Sequence, residues 1–174
     1  AQSYANWELC IANASPNEAG MSRILEEYCK KDARICVKPL LNNAGIAENT
    51  NEALEMATGE FIGLLDHDDL LAPNALYEIA KALESHPKID VIYTDEDKVR
   101  ADLSEHFQPN LKPDFNLDLL RSNNYICHFF VVRRTIVKMV GGFRKEYDGA
   151  QDYDFIFRCC ESAKEIYHVP EILY

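Results

Sequence analysis

At 174 residues, 47% hydrophobic and 27% charged, the chain can bury one sizeable core and has the composition of a globular domain, not of a disordered or fibrous segment. Its 29 acids against 18 bases leave a net charge of -11. No run of Lys or Arg forms a patch, so nucleic acid and anionic membrane surfaces are poor candidates as partners, and a phosphorylated ligand would have to be held through a metal and backbone N–H groups rather than a general positive field.

In chain order, residues 7–12 form a short apolar run closed by Asn13-Ala14-Ser15-Pro16-Asn17, a strand followed by a turn. Ser15, Pro16 and Glu18 signal a helix start, with Ile24, Leu25, Tyr28 and Cys29 as its apolar stripe. Residues 34–39 read as a second strand, Asn42-Asn43-Ala44-Gly45 as a turn, and Ile46, Asn49, Ala53, Met56 and Ala57 carry a helix to the stop at Gly59. Residues 61–65, five mostly apolar side chains between Gly59 and a burst of acid, read as a strand buried on both faces. Pro73 opens a third helix whose apolar face is Leu76, Ile79, Ala80 and Leu83 and which His86-Pro87 ends. Residues 90–94 form a fourth strand running into Asp95, Glu96 and Asp97. This alternation predicts an α/β fold with a mostly parallel central sheet and helices on both faces.

Beyond it, residues 98–110 read as a polar excursion, 114–120 as a short helix, 125–133 as a strand, 135–140 as a helix stopped by Gly141-Gly142, 151–162 as the last helix and 166–169 as the last strand. No internal repeat or low-complexity linker appears, so a single domain over 1–174 is expected. The six cysteines lack C-x-x-C spacing and read as buried, reduced thiols of a cytosolic protein, with no zinc site. No apolar run approaches membrane-spanning length and no signal peptide is apparent. Ala1 is not an initiator Met, and both ends read as cut from a longer chain.

Chemistry concentrates in Gly59-Glu60-Phe61-Ile62-Gly63-Leu64-Leu65-Asp66-His67-Asp68-Asp69. Carboxylates this close repel unless a cation sits among them, and a hard divalent ion, Mg²⁺ or Mn²⁺, resolves the conflict with oxygen ligands. The end of a strand is also where open α/β sheets bind ligands. Asp66 and Asp68 are the expected metal pair, whereas Asp69 also fits an acidic turn capping the next helix.

That segment, then Tyr93-Thr94-Asp95-Glu96-Asp97-Lys98, Gly141-Gly142-Phe143-Arg144 and Gln151-Asp152-Tyr153-Asp154, in this order, resemble the inverting family 2 glycosyltransferases of bacterial polysaccharide and O-antigen assembly, nearly end to end. The resemblance implies the glycosyltransferase-A fold, a Rossmann-like sheet with a nucleotide-sugar-binding half over 1–97 and an acceptor-binding half over 98–174. It implies that Asp66 and Asp68 form the D-x-D pair, with Asp68 on a Mn²⁺ or Mg²⁺ that bridges the donor diphosphate and Asp66 on the ribose or the metal's water shell. Asp152 matches the general base, which deprotonates the acceptor hydroxyl as it attacks the anomeric carbon opposite the leaving group and so inverts it. A first-turn helix acid is the plainer reading of the same residue. Asn13 and Asn43 are placed with Asp66 on the donor side, and Asp95 and Asp154 on the acceptor side, where a turn acid and a structural acid are the alternatives. His128 reads as a hydrogen-bonded core or cleft histidine in preference to a ligand, and His67 points away from Asp66 and Asp68 if the loop is extended.

Departures are expected to matter at both ends. The family's opening strand, of the type V-S-I-I-I-P-V-Y-N, would precede Ala1, and a His that often completes the metal shell would follow Tyr174. Asn13 stands where an Asp commonly recognises base and ribose. No Q-x-x-R-W motif is present, which favours transfer of single sugars over polymerisation. The expected activity is metal-dependent, inverting transfer from a UDP- or dTDP-sugar to a saccharide or lipid-linked saccharide acceptor, in the cytoplasm or peripheral to the inner membrane face. Two rivals are a non-catalytic nucleotide-sugar or glycan binding module, including a fragment inactive by truncation, and a nucleotidyltransferase. Intact Asp66, Asp68 and Asp152 argue against the first, and the lack of a Gly-rich, Lys/Arg-bearing first loop against the second.

Overall fold

The computed structural model describes residues 2–174, which form two compact units. One unit comprises Asn6–Gly59 and Gly141–Phe155. Here β1 (Leu9–Asn13) and β2 (Ile35–Pro39) pair in parallel, with α1 (Ala19–Lys31) between them in the chain and α2 (Ile46–Met56) following. The Trp7 ring carries the Arg34 guanidinium at 3.8 Å, and Arg34 in turn pairs with Asp32. α1 begins later than Ser15 because Glu18 N–H donates to the Ser15 carbonyl and makes a separate turn there. No α1 residue is buried, and Ile24 and Tyr28 of the expected stripe are exposed. α2 starts at Ile46 as read, behind Gly45. After it, the Glu8 carboxylate accepts from the N–H groups of Thr58 and Gly59 at 2.6 and 2.8 Å and fixes the exit.

The other unit contains residues 2–5, Glu60–Val140 and Ile156–Tyr174. Its elements are β3 (Phe61–Gly63), α3 (Ala75–Ser85), β4 (Val91–Val99), β5 (His106–Asn110), α4 (Leu117–Ser122), β6 (Phe130–Arg133), α5 (Arg134–Val140) and β7 (Ile166–Ile172). The last helix, α6 (Gln151–Ser162), contributes its first residues to the unit described first and the rest to this one. β4 is central: it pairs antiparallel with β6, parallel with β7, and through its far end antiparallel with β5. Residues 91–95 of β4 are wholly buried. α3 turns Ala75, Ile79 and Ala82 onto a core shared with Ile89, Ile92, Phe129, Val131, Val169 and Leu173. Each fully buried aliphatic side chain of this kind contributes about 1.5–3 kcal/mol.

The sheet is therefore mixed, not mostly parallel. β3 and β4 do run parallel, as the βαβ alternation requires, but β6 is inserted between them and runs against both. An insertion from later in the chain leaves no trace in the order of the first elements. The strand expected over 61–65 is only Phe61–Gly63 and is not buried on both faces, since Gly63 and Leu65 are exposed. The excursion over 98–110 hides β5, all five residues of which are exposed. Its ladder is carried by backbone, so no apolar alternation betrays it. β6 starts at Phe130, leaving residues 125–129 outside any strand.

Candidate functional site

β3 delivers the chain to the acidic segment, and Asp69 N–H donates to the Asp66 carbonyl at 3.3 Å to close a turn over residues 66–69. In such a turn the first and fourth residues lie side by side while the middle two form the tip. Asp66 and Asp69 are thus brought together, and the imidazole of His128 joins them from the segment before β6, its Nε2 3.6 Å from Asp66 Oδ2. One ligand atom from each of Asp66, Asp69 and His128 lies within 4.8 Å of the others, the one such group among the described residues. Asp68, the other expected ligand, is outside it: its carboxylate faces His67 Nδ1 at 3.7 Å at the exposed tip. The expectation rested on the clustering of carboxylates and on the D-x-D resemblance, neither of which specifies the turn that sets the first and fourth residues side by side.

Tyr174 ties this group down. Its hydroxyl donates to Asp69 Oδ2 at 2.6 Å and accepts from Asp66 N–H at 3.3 Å, and its ring lies over those of His128 and Phe129. Burial, then the bond to Asp69, raises the phenol well above its usual range, so it remains protonated and donating. His128 is fixed from behind by its own N–H, which donates to Glu96 Oε2 at 2.6 Å.

Asp95 ends the buried stretch of β4 at 4% exposure. Its Oδ1 accepts from Lys112 N–H and lies against His168 Nε2, both at 2.8 Å, and His168 stacks on Tyr93 at 4.8 Å. The carboxylate joins β4, β7 and the segment after β5, so in the structure Asp95 has the surroundings of a structural acid, the alternative to the expected acceptor contact.

In the other unit Asn13 is buried at the end of β1, its Oδ1 accepting from Ser15 N–H at 3.0 Å, and it lines an open groove of about 400 Å³ with residues of α1 and β2. Asn43 is exposed, and its Oδ1 accepts from Asn49 Nδ2 at 2.8 Å and Gly45 N–H at 3.2 Å, holding the turn before α2. Asp152 is half-buried in the first turn of α6, beside Gln151 Nε2 at 2.9 Å. Asp154, two residues on, pairs with Arg144 and is 7% exposed in its side chain, the surroundings of the structural acid that was the alternative to an acceptor contact. The loop leading to α6 is held by α2: the Asn51 carboxamide both donates to and accepts from the Phe143 backbone at 2.8 Å. Gly142, at φ +75°, passes so close that a Cβ would stand 2.5 Å from Asn51 Oδ1.

The glycosyl transferase family 2 model matches residues 1–141. The chain belongs to that family. It is 39% identical over 99% of its length to the O-antigen biosynthesis protein RfbC of Myxococcus xanthus, of which it covers 14%. Solved structures share its fold: Staphylococcus aureus TarS in complex with UDP, at TM-score 0.72 and 21% identity over 90% of this chain and 47% of that one, and the mannosyltransferase PcManGT of Pyrobaculum calidifontis in complex with GDP-Man and Mn²⁺, at TM-score 0.61 and 19% identity over 88% and 43%. The fold is thus glycosyltransferase-A, α/β with a mixed central sheet. The chain spans about a fifth or less of the length of the relatives it matches first. No helix among the described residues is long and apolar enough to cross a membrane.

In this family 2 chain, sequence reasoning found Asp66 and missed Asp69, His128 and Tyr174 as its neighbours. A turn signal was available for Asp69, in the run of short polar residues Asp-His-Asp-Asp, which favours a four-residue turn. For His128 and Tyr174 no local signal exists, because their place beside Asp66 comes from strand pairing between distant segments.

Proposed function

We propose that the chain is the sugar-transferring domain of a longer protein that builds a cell-surface polysaccharide: it binds a divalent metal and a UDP- or dTDP-sugar and passes the sugar, with inversion, to a saccharide or lipid-linked saccharide acceptor. The observation that carries this reading is the Asp66, Asp69 and His128 cluster at the end of β3 in a family 2 chain. The UDP of the TarS complex, the GDP-Man and Mn²⁺ of PcManGT and the O-antigen role in the name of RfbC support the donor, metal and pathway classes.

The donor set fits a divalent metal. Two carboxylate oxygens suit Mg²⁺ or Mn²⁺, and the imidazole nitrogen favours Mn²⁺, the transition metal of the two. When bound, the metal supplies Lewis-acid charge to the departing nucleoside diphosphate. Tyr174 holds the Asp69 carboxylate and the Asp66 backbone in place, so the ligands need little reorganisation. Asn13 and Asn43 lie on the donor side and meet base and ribose. Asp152, in the first turn of α6, takes the acceptor proton during a single displacement, which is what inversion requires. The six cysteines, none of them in a disulfide among the described residues and Cys36 exposed, fit a reducing cytoplasm.

Calorimetric titration of UDP and dTDP with and without Mn²⁺ tests the reading. Metal-dependent nucleotide binding that weakens at least about tenfold in Asp66→Asn and Asp69→Asn is expected. Loss in Asp68→Asn with Asp69→Asn unaffected would return the metal to the D-x-D pair, and binding indifferent to metal in every variant would overturn the reading.

A further inference from the structure

Lys112, the second residue after β5, is enclosed almost completely, its side chain 1% exposed. Its ammonium has three N–H donors, and three acceptors surround it: Glu96 Oε2 at 3.0 Å, the Ile126 carbonyl at 3.0 Å, and the His128 carbonyl. The same Glu96 Oε2 accepts from His128 N–H. Both backbone polar groups of His128 are therefore held by one ion pair, the N–H by its acid and the carbonyl by its base. Residues 125–129 precede β6; there the Tyr125 N–H donates to the Asn123 carbonyl and the Phe129 carbonyl accepts from Thr94 N–H, while the N–H and carbonyl of His128 are met by the ion pair. Lys112 is itself set in place by its own N–H, which donates to Asp95 Oδ1.

An ion pair with its base enclosed and its acid partly exposed is a poor device for stability alone, because desolvating the ammonium offsets much of the attraction and an apolar pair of equal volume does as well. The burial cost is visible in Lys112, whose pKa is pushed below the usual lysine value by desolvation, with Glu96 opposing. What an apolar pair cannot do is bind a carbonyl and an N–H of one residue and so set the direction of its side chain.

We propose that Lys112 and Glu96 are positioning residues for the metal site, clamping the backbone of His128 so that its imidazole faces Asp66 and Asp69. The clamp rests on the metal reading given under the proposed function. Partners that orient a metal ligand without touching the metal typically matter by about 10- to 100-fold in affinity.

The test is titration of the chain with Mn²⁺ alone, paired with thermal unfolding and with the visible spectrum of the Co²⁺-loaded chain, which reports an imidazole ligand. Lys112→Met keeps the apolar stem and removes the ammonium. Its Mn²⁺ dissociation constant is expected to rise about 10- to 100-fold, with loss of the imidazole signature. Added to His128→Gln, it should cause no further loss, because it acts through His128. Should Lys112→Met not fold, Lys112→Met/Glu96→Leu, which leaves no unpaired charge, is measured in its place. A folded variant whose Mn²⁺ affinity and Co²⁺ spectrum are unchanged would overturn the clamp, as would a loss fully additive with that of His128→Gln. Asp66→Asn and Asp69→Asn separate the two levels: weakened Mn²⁺ binding there with none in the clamp variants removes only the clamp, whereas unchanged binding in all of them removes the metal reading as well.

Discussion

Asp95 and Asp66 are both strand-end acids, and their surroundings give them opposite roles. Asp66 is exposed beside another carboxylate and an imidazole, an arrangement that could hold a cation, whereas Asp95 is enclosed and already matched by Lys112 N–H and His168. Truncation of Asp95 leaves buried partners unsatisfied, so Asp95→Ala is expected to lower the unfolding free energy by about 1–3 kcal/mol; an acceptor contact would instead raise the acceptor KM at unchanged stability, and denaturant unfolding beside kinetics distinguishes the two. Asp32 allows a second test at this scale. Hydrogen bonds from Arg34 hold its carboxyl down to about 2 from 3.8. A depressed pKa means that the folded state holds its proton less tightly than the unfolded one, so the stabilisation is fully present above the unfolded value and is lost as pH falls through the folded value. The stability difference between the unsubstituted chain and Asp32→Asn should therefore be flat above about pH 5 and shrink toward zero near pH 2 in acid unfolding series.

Elements with a one-sided apolar face were legible at the level of sequence, and those without one were not. α2 and α6 fall where periodicity and end signals placed them, and α3 begins only two residues after Pro73, because the apolar residues that recur at helical spacing in α3 do pack on the core. β5 escaped because all its residues are exposed, and β3 was over-read because a continuous apolar run does not reveal where the ladder stops. Gly63, the last residue of β3, packs tightly on the segment before β6. A Cβ there would stand 2.9 Å from the Phe129 ring, which is buried and has no room to withdraw. Gly63→Ala is expected to cost about 1–3 kcal/mol through overpacking. Because Phe129 adjoins His128, the same substitution should weaken Mn²⁺ binding, whereas Gly20→Ala, with open space around its Cβ, should do neither.

For the whole molecule, the bound metal and nucleotide add stability by mass action, since the unfolded chain has no assembled ligand set. Mn²⁺ with UDP at about 100 times the dissociation constant should contribute about 2.7 kcal/mol, a rise in melting temperature of about 5–10 °C for a chain of this size, and EDTA should reverse it; equal melting with and without metal would count against the proposed function. Taken alone, the amino-acid order determined the α/β class, the order of helices and strands through residue 94, the family resemblance and the acidic cluster that follows β3, because each depends on residue types at short spacing. Only tertiary structure decided that β6 lies between β3 and β4, that Asp69, His128 and Tyr174 surround Asp66, and that Lys112 is buried against Glu96. The reason is physical. Periodicity and turn chemistry act over a few residues, whereas strand insertion and buried charge pairing are set by which distant segments gain most from excluding water together.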